Sequence, residues 1–333
     1  MKTAILAIIL FCVMIFPHEL GHFIAAKKMG IKVNEFAFGM GPAIFRRQGS
    51  ETLYTIRLFP IGGFCAMEGE DEESDEPRAF NNKKPWQKLV VLVAGSFMNV
   101  VCAILIMILV VGILGFTTTT VATVEENSPA ALAGMEVGDV ITHIDGNEIE
   151  SWSQVSGAIS EGEGQTSVFT VERNGKTDTL EITPEILQDG RYRIGITSKI
   201  SHNPAKAVAE GTKATWNMTK TMFSTLGQLF TGKVGADDLS GPVGMVQMVS
   251  RTTEYGFWYY GFLTALICLN LAIINMLPLP ALDGGRIIFV LYTMITGRRV
   301  SEKVEGGVHM AGMILLLGLM AYVTFNDITR IFG

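Results

Sequence analysis

The segment Phe16-Pro17-His18-Glu19-Leu20-Gly21-His22 lies near the end of an apolar run that begins at Thr3. On a helix, His18 and His22 are one turn apart, so both imidazoles leave the same face and can bind one metal ion. Glu19 lies beside them, where a carboxylate can take a proton from a metal-activated water. This is the HExxH zinc-binding arrangement. Its surroundings are unusual for such a motif. Thr3 to Phe16 carries no charge and Phe23 to Ala26 stays apolar beyond the second histidine, so the motif falls inside an expected membrane helix.

The composition agrees with that placement. The chain has 333 residues, of which 48% are hydrophobic and only 17% charged, and its mean hydropathy is +0.35. Soluble globular chains carry about 25% charge. A net charge of -6 gives no footprint for nucleic acid. The four cysteines, Cys12, Cys65, Cys102 and Cys268, have no CxxC spacing and read as apolar filler. Lys2 and the run after it imitate a secretory signal. No small-x-small cleavage site follows, so the run is expected to be retained as a span.

Span 1 is expected over residues 3–26, about the 20 residues a bilayer core requires. Pro17 inside it predicts a kink, tolerated where neighbours re-satisfy the freed carbonyl. Two short strands are expected at 42–47 and 52–59, with 48–51 as the turn and a Gly/Pro-rich bend at 59–64. Residues 68–76 hold seven acids in nine positions and read as a solvated linker. Span 2 is expected over 89–116, anchored by Trp86 among lysines. Ala94, Gly95, Ser96 and Asn99 mark a face suited to close helix packing.

Residues 117–200 change character to short β-branched runs. Gly134 to Gly146, with Ser128-Pro129-Ala130 before it and Ile149 to Trp152 after it, resembles a bacterial PDZ domain. Such modules bind extended peptides at a sheet edge. Asp139 and His143 within it read as structural or surface residues. Residues 201–256 read as an amphipathic helix and linker, with Trp216, Met222 and Phe223 among polar residues. This pattern fits a helix on the membrane surface, and equally a core-facing one. Span 3 is expected over 257–295, broken at Pro278 and Pro280, and span 4 over 308–325. Basic residues at Lys27/Lys28, Lys83/Lys84 and Arg298/Arg299/Lys303 assign those loops to the cytoplasm. Both termini and the PDZ-like domain then fall outside.

Ionisable groups within the spans are scarce. A charged side chain at bilayer depth costs on the order of 2.5–3.5 kcal/mol on insertion scales, so such groups mark functional cavities. Two histidines need at least one more ligand for a catalytic zinc site. Asp283, in the break of span 3 and flanked by glycines, is the natural candidate; its alternative role is an ion pair with Arg286. Zinc on His18, His22 and Asp283 would activate water, with Glu19 as general base. A helical substrate must unwind before it can be cut. The strands at 42–59 are a candidate edge for it, and the Asn275 amide a candidate hold on its backbone.

These residues together resemble the site-2 protease family, most closely its RseP/RasP-like group of intramembrane zinc metalloproteases. The likeness rests on HELGH, on the run from Asn275 to Gly285 (NMLPLPALDGG), and on the PDZ-like insert between spans 2 and 3. It extends through residues 59–63, 84–87, 241–244 and 325–327 to essentially the whole chain. The resemblance implies a polytopic α-helical membrane protein with four transmembrane helices, a membrane-associated β-hairpin loop and one extracytoplasmic PDZ-like α+β domain. It implies Zn2+ on His18, His22 and Asp283, Glu19 as the catalytic base, and Asn275, Pro278 and Pro280 as substrate-handling residues. Residues 36–66 would be the re-entrant β-loop. The resulting divisions are 1–116, 117–200, 201–256 and 257–333. The implied substrates are single-pass membrane proteins already cut by an upstream site-1 protease, such as anti-sigma factors or signal-peptide remnants, in the cell's inner (cytoplasmic) membrane. Ser96 replaces the proline of the family's AGPxxN pattern, and Pro17 is atypical. A single PDZ-like unit suggests a Gram-positive-type member.

Two rivals remain at this point. A non-proteolytic zinc-containing scaffold binding peptides through the PDZ domain would have no use for Glu19. A transporter is suggested by the broken span but lacks inverted repeats.

Overall fold

The computed structural model describes residues 2–70, 72–232, 241–254, 256–298 and 300–332. Arg299, Asp71 of the acidic run, and residues 233–240 and 255 of the expected 201–256 linker lie outside them. The chain divides into two units: Met1–Val110 with Gly211–Gly333, and Val111–Glu210.

In the first unit, α1 (Lys2–Lys28) is followed by strands β1 (Val33–Gln48) and β2 (Leu53–Met67), then α2 (Pro85–Leu114). Four helical stretches among the described residues are long and apolar enough to cross a membrane: Thr3–Lys28, Pro85–Leu114, Trp258–Met276 and Lys303–Thr329. They are apolar around most of their circumference because lipid, not water, faces the outer side. Leu105 and Leu109 of α2 are accordingly exposed. The inner faces approach closely. A Cβ on Gly21 of α1 would lie 2.3 Å from the Ala94 carbonyl oxygen of α2, a small-residue contact that only glycine permits. Ser96 and Asn99 do not interrupt α2, and Pro17 does not end α1.

The β segment differs from expectation. The strands are not 42–47 and 52–59 but 16 and 15 residues long, and the expected bend at 59–64 lies within β2. Residues 43–48 pair antiparallel with 53–57, while 33–38 pair antiparallel with 63–67 and also lie in rising register against 53–56. Each strand is therefore folded back into two halves. Gly39 at φ +86° and Gly62 at φ +91° take the backbone conformations these bends require. Proline and glycine, which signal turns in sequence, here mark bulges inside long strands.

The second unit contains β3 (Phe116–Val124), α3 (Pro129–Leu132), β4 (Val140–Ile144), β5 (Asn147–Glu148), α4 (Trp152–Glu161), β6 (Ser167–Arg173), β7 (Lys176–Ile182), β8 (Glu185–Ile186), β9 (Tyr192–Arg193) and β10 (Ile196–Ser201). Phe116, expected at the end of span 2, begins β3 instead. The sheet order is β10-β3-β4-β6-β7, with β5 paired to β4. Val121, Ile141, Ile144, Phe169 and Ile182 fill its core against Val155 of α4. This is a PDZ-like α+β unit.

Asp139 is fully buried there. It accepts hydrogen bonds from Arg173 Nε (2.6 Å), Arg173 Nη2 (2.7 Å) and the Glu136 amide (2.9 Å). Burial alone would raise its pKa; the Arg173 hydrogen bonds outweigh that and hold it below the usual carboxylate value. Because the folded pKa is lowered, the stabilisation is present above the unfolded value of about 4 and is lost as pH falls through the folded value. Arg173→Ala should lower the thermal midpoint of this unit by about 5 °C or more at pH 7. The difference from the wild type should shrink in acid. An equal deficit at pH 7 and pH 3 would mean that lost packing, not charge, is responsible.

Four more helices complete the chain before its last: α5 (Pro204–Phe230), α6 (Pro242–Glu254), α7 (Phe257–Met276) and α8 (Asp283–Thr296); α9 (Glu302–Phe332) ends it. Helix α5 turns Gly211 and Thr215 inward. A Cβ on Gly211 would lie 2.7 Å from the Ile108 Cα of α2. Trp216 and Phe223 are exposed, so the aromatic stripe is outward-facing and the core-facing alternative falls away. Helix α9 is longer than the expected 308–325 at both ends.

Candidate active site

Helix α1 carries both histidines on its buried face, each 7% exposed, and the N-terminus of α8 brings Asp283 to them. His18 Nε2 and His22 Nε2 are 3.2 Å apart. Asp283 Oδ2 lies 3.3 Å from the first and 3.4 Å from the second. Among the described residues this is the one group of three that could hold a metal ion. Asp283 does not pair with Arg286; that guanidinium instead bonds the carboxylate of Glu70. The acidic segment 68–76 is consequently not a free linker. Glu68 also has fixed partners, accepting from Ser74 Oγ at 2.6 Å and Asn34 Nδ2 at 2.8 Å.

The break that delivers Asp283 is built from residues 277–282. The Leu277 amide closes α7 on the Ile274 carbonyl (3.0 Å), and Leu279 N bonds Leu277 O (2.7 Å). Pro278 and Pro280 stiffen this turn, because neither offers an amide for helix continuation. Ala281 sits at φ +72°, rare for a residue with a Cβ. Its amide donates to His309 Nδ1 of α9 at 2.9 Å. Gly284 and Gly285 let α8 start directly under the turn, since their Cβ atoms would lie 2.0 Å from Leu277 O and 2.4 Å from Leu279 O.

Three contributors escape reading by sequence. Gly95 of α2 lies flush against the histidines: a Cβ there would be 2.3 Å from His22 Nε2 and 2.8 Å from His18 Cε1. The Val91 carbonyl accepts a hydrogen bond from His22 Nδ1 at 2.8 Å, which leaves Nε2 as the lone-pair nitrogen, the outer support common to metal-binding histidines. For His309 the sequence offers one signal, a histidine inside the expected span at 308–325.

Asn275 Nδ2 lies 3.2 Å from His18 Nε2, beside the cluster. Glu19 is not part of the triangle. Its side chain runs past β2, where a Cβ on Gly63 would be 3.5 Å from Glu19 Cγ. The sheet segment beside Glu19 is therefore around residue 63, outside the expected edge at 42–59.

The donor set fits zinc. Tetrahedral ligands at about 2.0–2.1 Å from zinc are spaced about 3.3–3.4 Å from one another, close to the three edges of 3.2, 3.3 and 3.4 Å. The donors, two imidazoles and one carboxylate, also leave a fourth position open. Comparison with known proteins bears on the same point. Residues 6–319 match the model of peptidase family M50. The chain belongs to peptidase family M50. A provisionally named zinc metalloprotease of Clostridium acetobutylicum is 37% identical over 97% of this chain and 96% of its own length. The regulator of sigma-W protease RasP of Bacillus subtilis is 30% identical, with 99% of each chain covered. The PDZ domain of an SdrC-like protein from Listeria monocytogenes aligns with 25% of this chain and 86% of its own, at 28% identity and a TM-score of 0.22. As an M50 member, the chain is a membrane-embedded zinc metalloprotease of the site-2 type.

Proposed function

We propose that His18, His22 and Asp283 are the zinc ligands and Glu19 the general base for hydrolysis of peptide bonds within membrane segments. The observation that carries this reading is the triangle of ligand atoms at 3.2, 3.3 and 3.4 Å. When bound, zinc supplies a water acidic enough to react near neutral pH and a Lewis acid for the scissile carbonyl. Glu19 takes the water's proton and passes it to the leaving amine. Asn275, with its amide aimed at the cluster, holds the substrate backbone. The turn containing Pro278 and Pro280 keeps that amide and Asp283 in fixed relation. The strand around Gly63, next to Glu19, receives the unwound substrate by strand addition.

The substrates are single-pass membrane proteins shortened beforehand by a site-1 protease, of the anti-sigma-factor or signal-peptide-remnant kind. The name of the B. subtilis relative supports the former. The protein resides in the inner (cytoplasmic) membrane. Lysines at the C-terminal end of α1 and before α2 support a cytoplasmic β-loop, and with it an extracytoplasmic PDZ-like domain and termini.

The test uses the purified full-length chain in detergent with a truncated single-pass substrate. Cleavage should map within the membrane segment, stop on chelation and return on adding zinc. Cleavage that persists in chelator would sink the metal reading. A cut outside the apolar segment would sink the intramembrane one.

A further inference from the structure

Helix α2 carries more polar atoms into the bundle than its packing uses. Asn99 is 0% exposed and Ser96 3%. Among the described residues, Ser96 Oγ and both amide atoms of Asn99 have no hydrogen-bond partner. A buried polar group left unpaired is costly, so two such residues three positions apart on one helix call for an explanation.

The histidines supply the second half of the observation. His22 Nδ1 bonds the Val91 carbonyl at 2.8 Å, whereas His18 Nδ1 is buried without a partner. Helix α2 runs past the site in register with this difference. Val91 serves His22. Gly95, one turn on, lies against both rings; a Cβ there would be 2.8 Å from His18 Cε1, the carbon between the two ring nitrogens. Asn99 is one further turn along the same face, with Ser96 beside it.

We infer that Asn99 is the positioning residue for His18. Its amide oxygen accepts the Nδ1 proton, either after side-chain rotation or through one water shared with Ser96 Oγ. Helix α2 thereby supports both histidines, His22 by a backbone carbonyl and His18 by a side chain. The hydrogen bond keeps the His18 proton on Nδ1 and turns Nε2 toward the metal. Two unpaired groups that are each costly alone become mutually satisfied. The inference rests on the reading of His18 as a zinc ligand.

The experiment measures zinc affinity of the purified full-length chain by competition with a chromophoric chelator. It also records the visible spectrum of the cobalt-substituted protein and the unfolding temperature of the metal-free form. Variants are Asn99→Leu, which removes the acceptor, and Asn99→Asp, which keeps an acceptor oxygen in the same shape. Asn99→Leu should bind zinc 10- to 100-fold more weakly and shift the cobalt bands, without lowering the metal-free unfolding temperature. Asn99→Asp should retain near wild-type affinity. Unchanged affinity and cobalt spectrum in Asn99→Leu overturn the inference. So does an equal loss in Asn99→Leu and Asn99→Asp, which would trace the effect to packing. His18→Ala serves as the separate control: if it binds zinc as well as the wild type, the ligand reading itself fails and the role of Asn99 falls with it.

Discussion

Glu19→Gln should reduce peptide-bond hydrolysis about 1,000-fold while leaving bound zinc unchanged. The magnitude follows from general acid–base catalysis, which contributes typically 10²–10⁴-fold and here corresponds to about 4 kcal/mol of barrier. The separation of activity from metal content follows from geometry. The three ligand atoms come from His18, His22 and Asp283, and the Glu19 side chain leaves the helix toward Gly63 of β2. Glutamine keeps the size and the contact with Gly63 but cannot take a proton. Zinc content by elemental analysis and single-turnover cleavage on the same sample test both halves. Loss of zinc together with activity would make Glu19 a ligand or a packing residue. Identical products at equal rates from both proteins would place the base elsewhere. A scaffold that bound peptides without cutting them would show no activity to lose.

Gly95→Ala should cost at least about 100-fold in zinc affinity, and cleavage with it. The added Cβ would stand 2.3 Å from His22 Nε2 and 2.8 Å from His18 Cε1, both well inside contact distance. Retreat of α2 from α1 would open the close packing one residue away, where Gly21 of α1 meets the Ala94 carbonyl. Closely packed interiors do not absorb an extra methyl without displacing something. The imidazoles are the neighbours able to swing, and swinging them dismantles the ligand triangle. Gly318→Ala in α9, where a Cβ meets nothing within 4 Å, is the matched control and should behave as wild type. Full zinc binding by Gly95→Ala would mean that α2 stands farther from the site than this structure has it. The His18→Ala and His22→Ala variants calibrate what complete loss looks like in the same assay.

Local chemistry explains what could be read from the chain. His18, Glu19 and His22 declare themselves because a helix puts positions four apart on one face. The apolar runs declare themselves because a bilayer demands some twenty residues without charge. Asp283 could be nominated, since an aspartate between glycines in a broken span is costly without a partner. The sequence favours the histidines over Arg286 as its partners, but contact is decided only in three dimensions. Arg286 is three residues away in the chain and His18 is 265 away, yet the start of α8 turns the carboxylate to the histidines and leaves Arg286 to Glu70.

The β segment was misjudged for a related reason. Glycines and prolines at 39–42 and 60–63 look like the ends of short strands, and only the pairing of β1 with β2 in two registers makes them bends within long ones. The sequence by itself determined the spans, the metal motif and the family likeness, because these depend on composition and on spacing within one helix. Tertiary structure alone decided that Gly95 meets the histidine rings, that the Val91 carbonyl orients His22, that His309 braces Ala281 and that Asn99 lies buried one turn along α2 from Gly95. Each of these depends on which faces of separate helices meet, and spacing along a chain carries no information about contacts between helices packed by nearly featureless apolar surfaces.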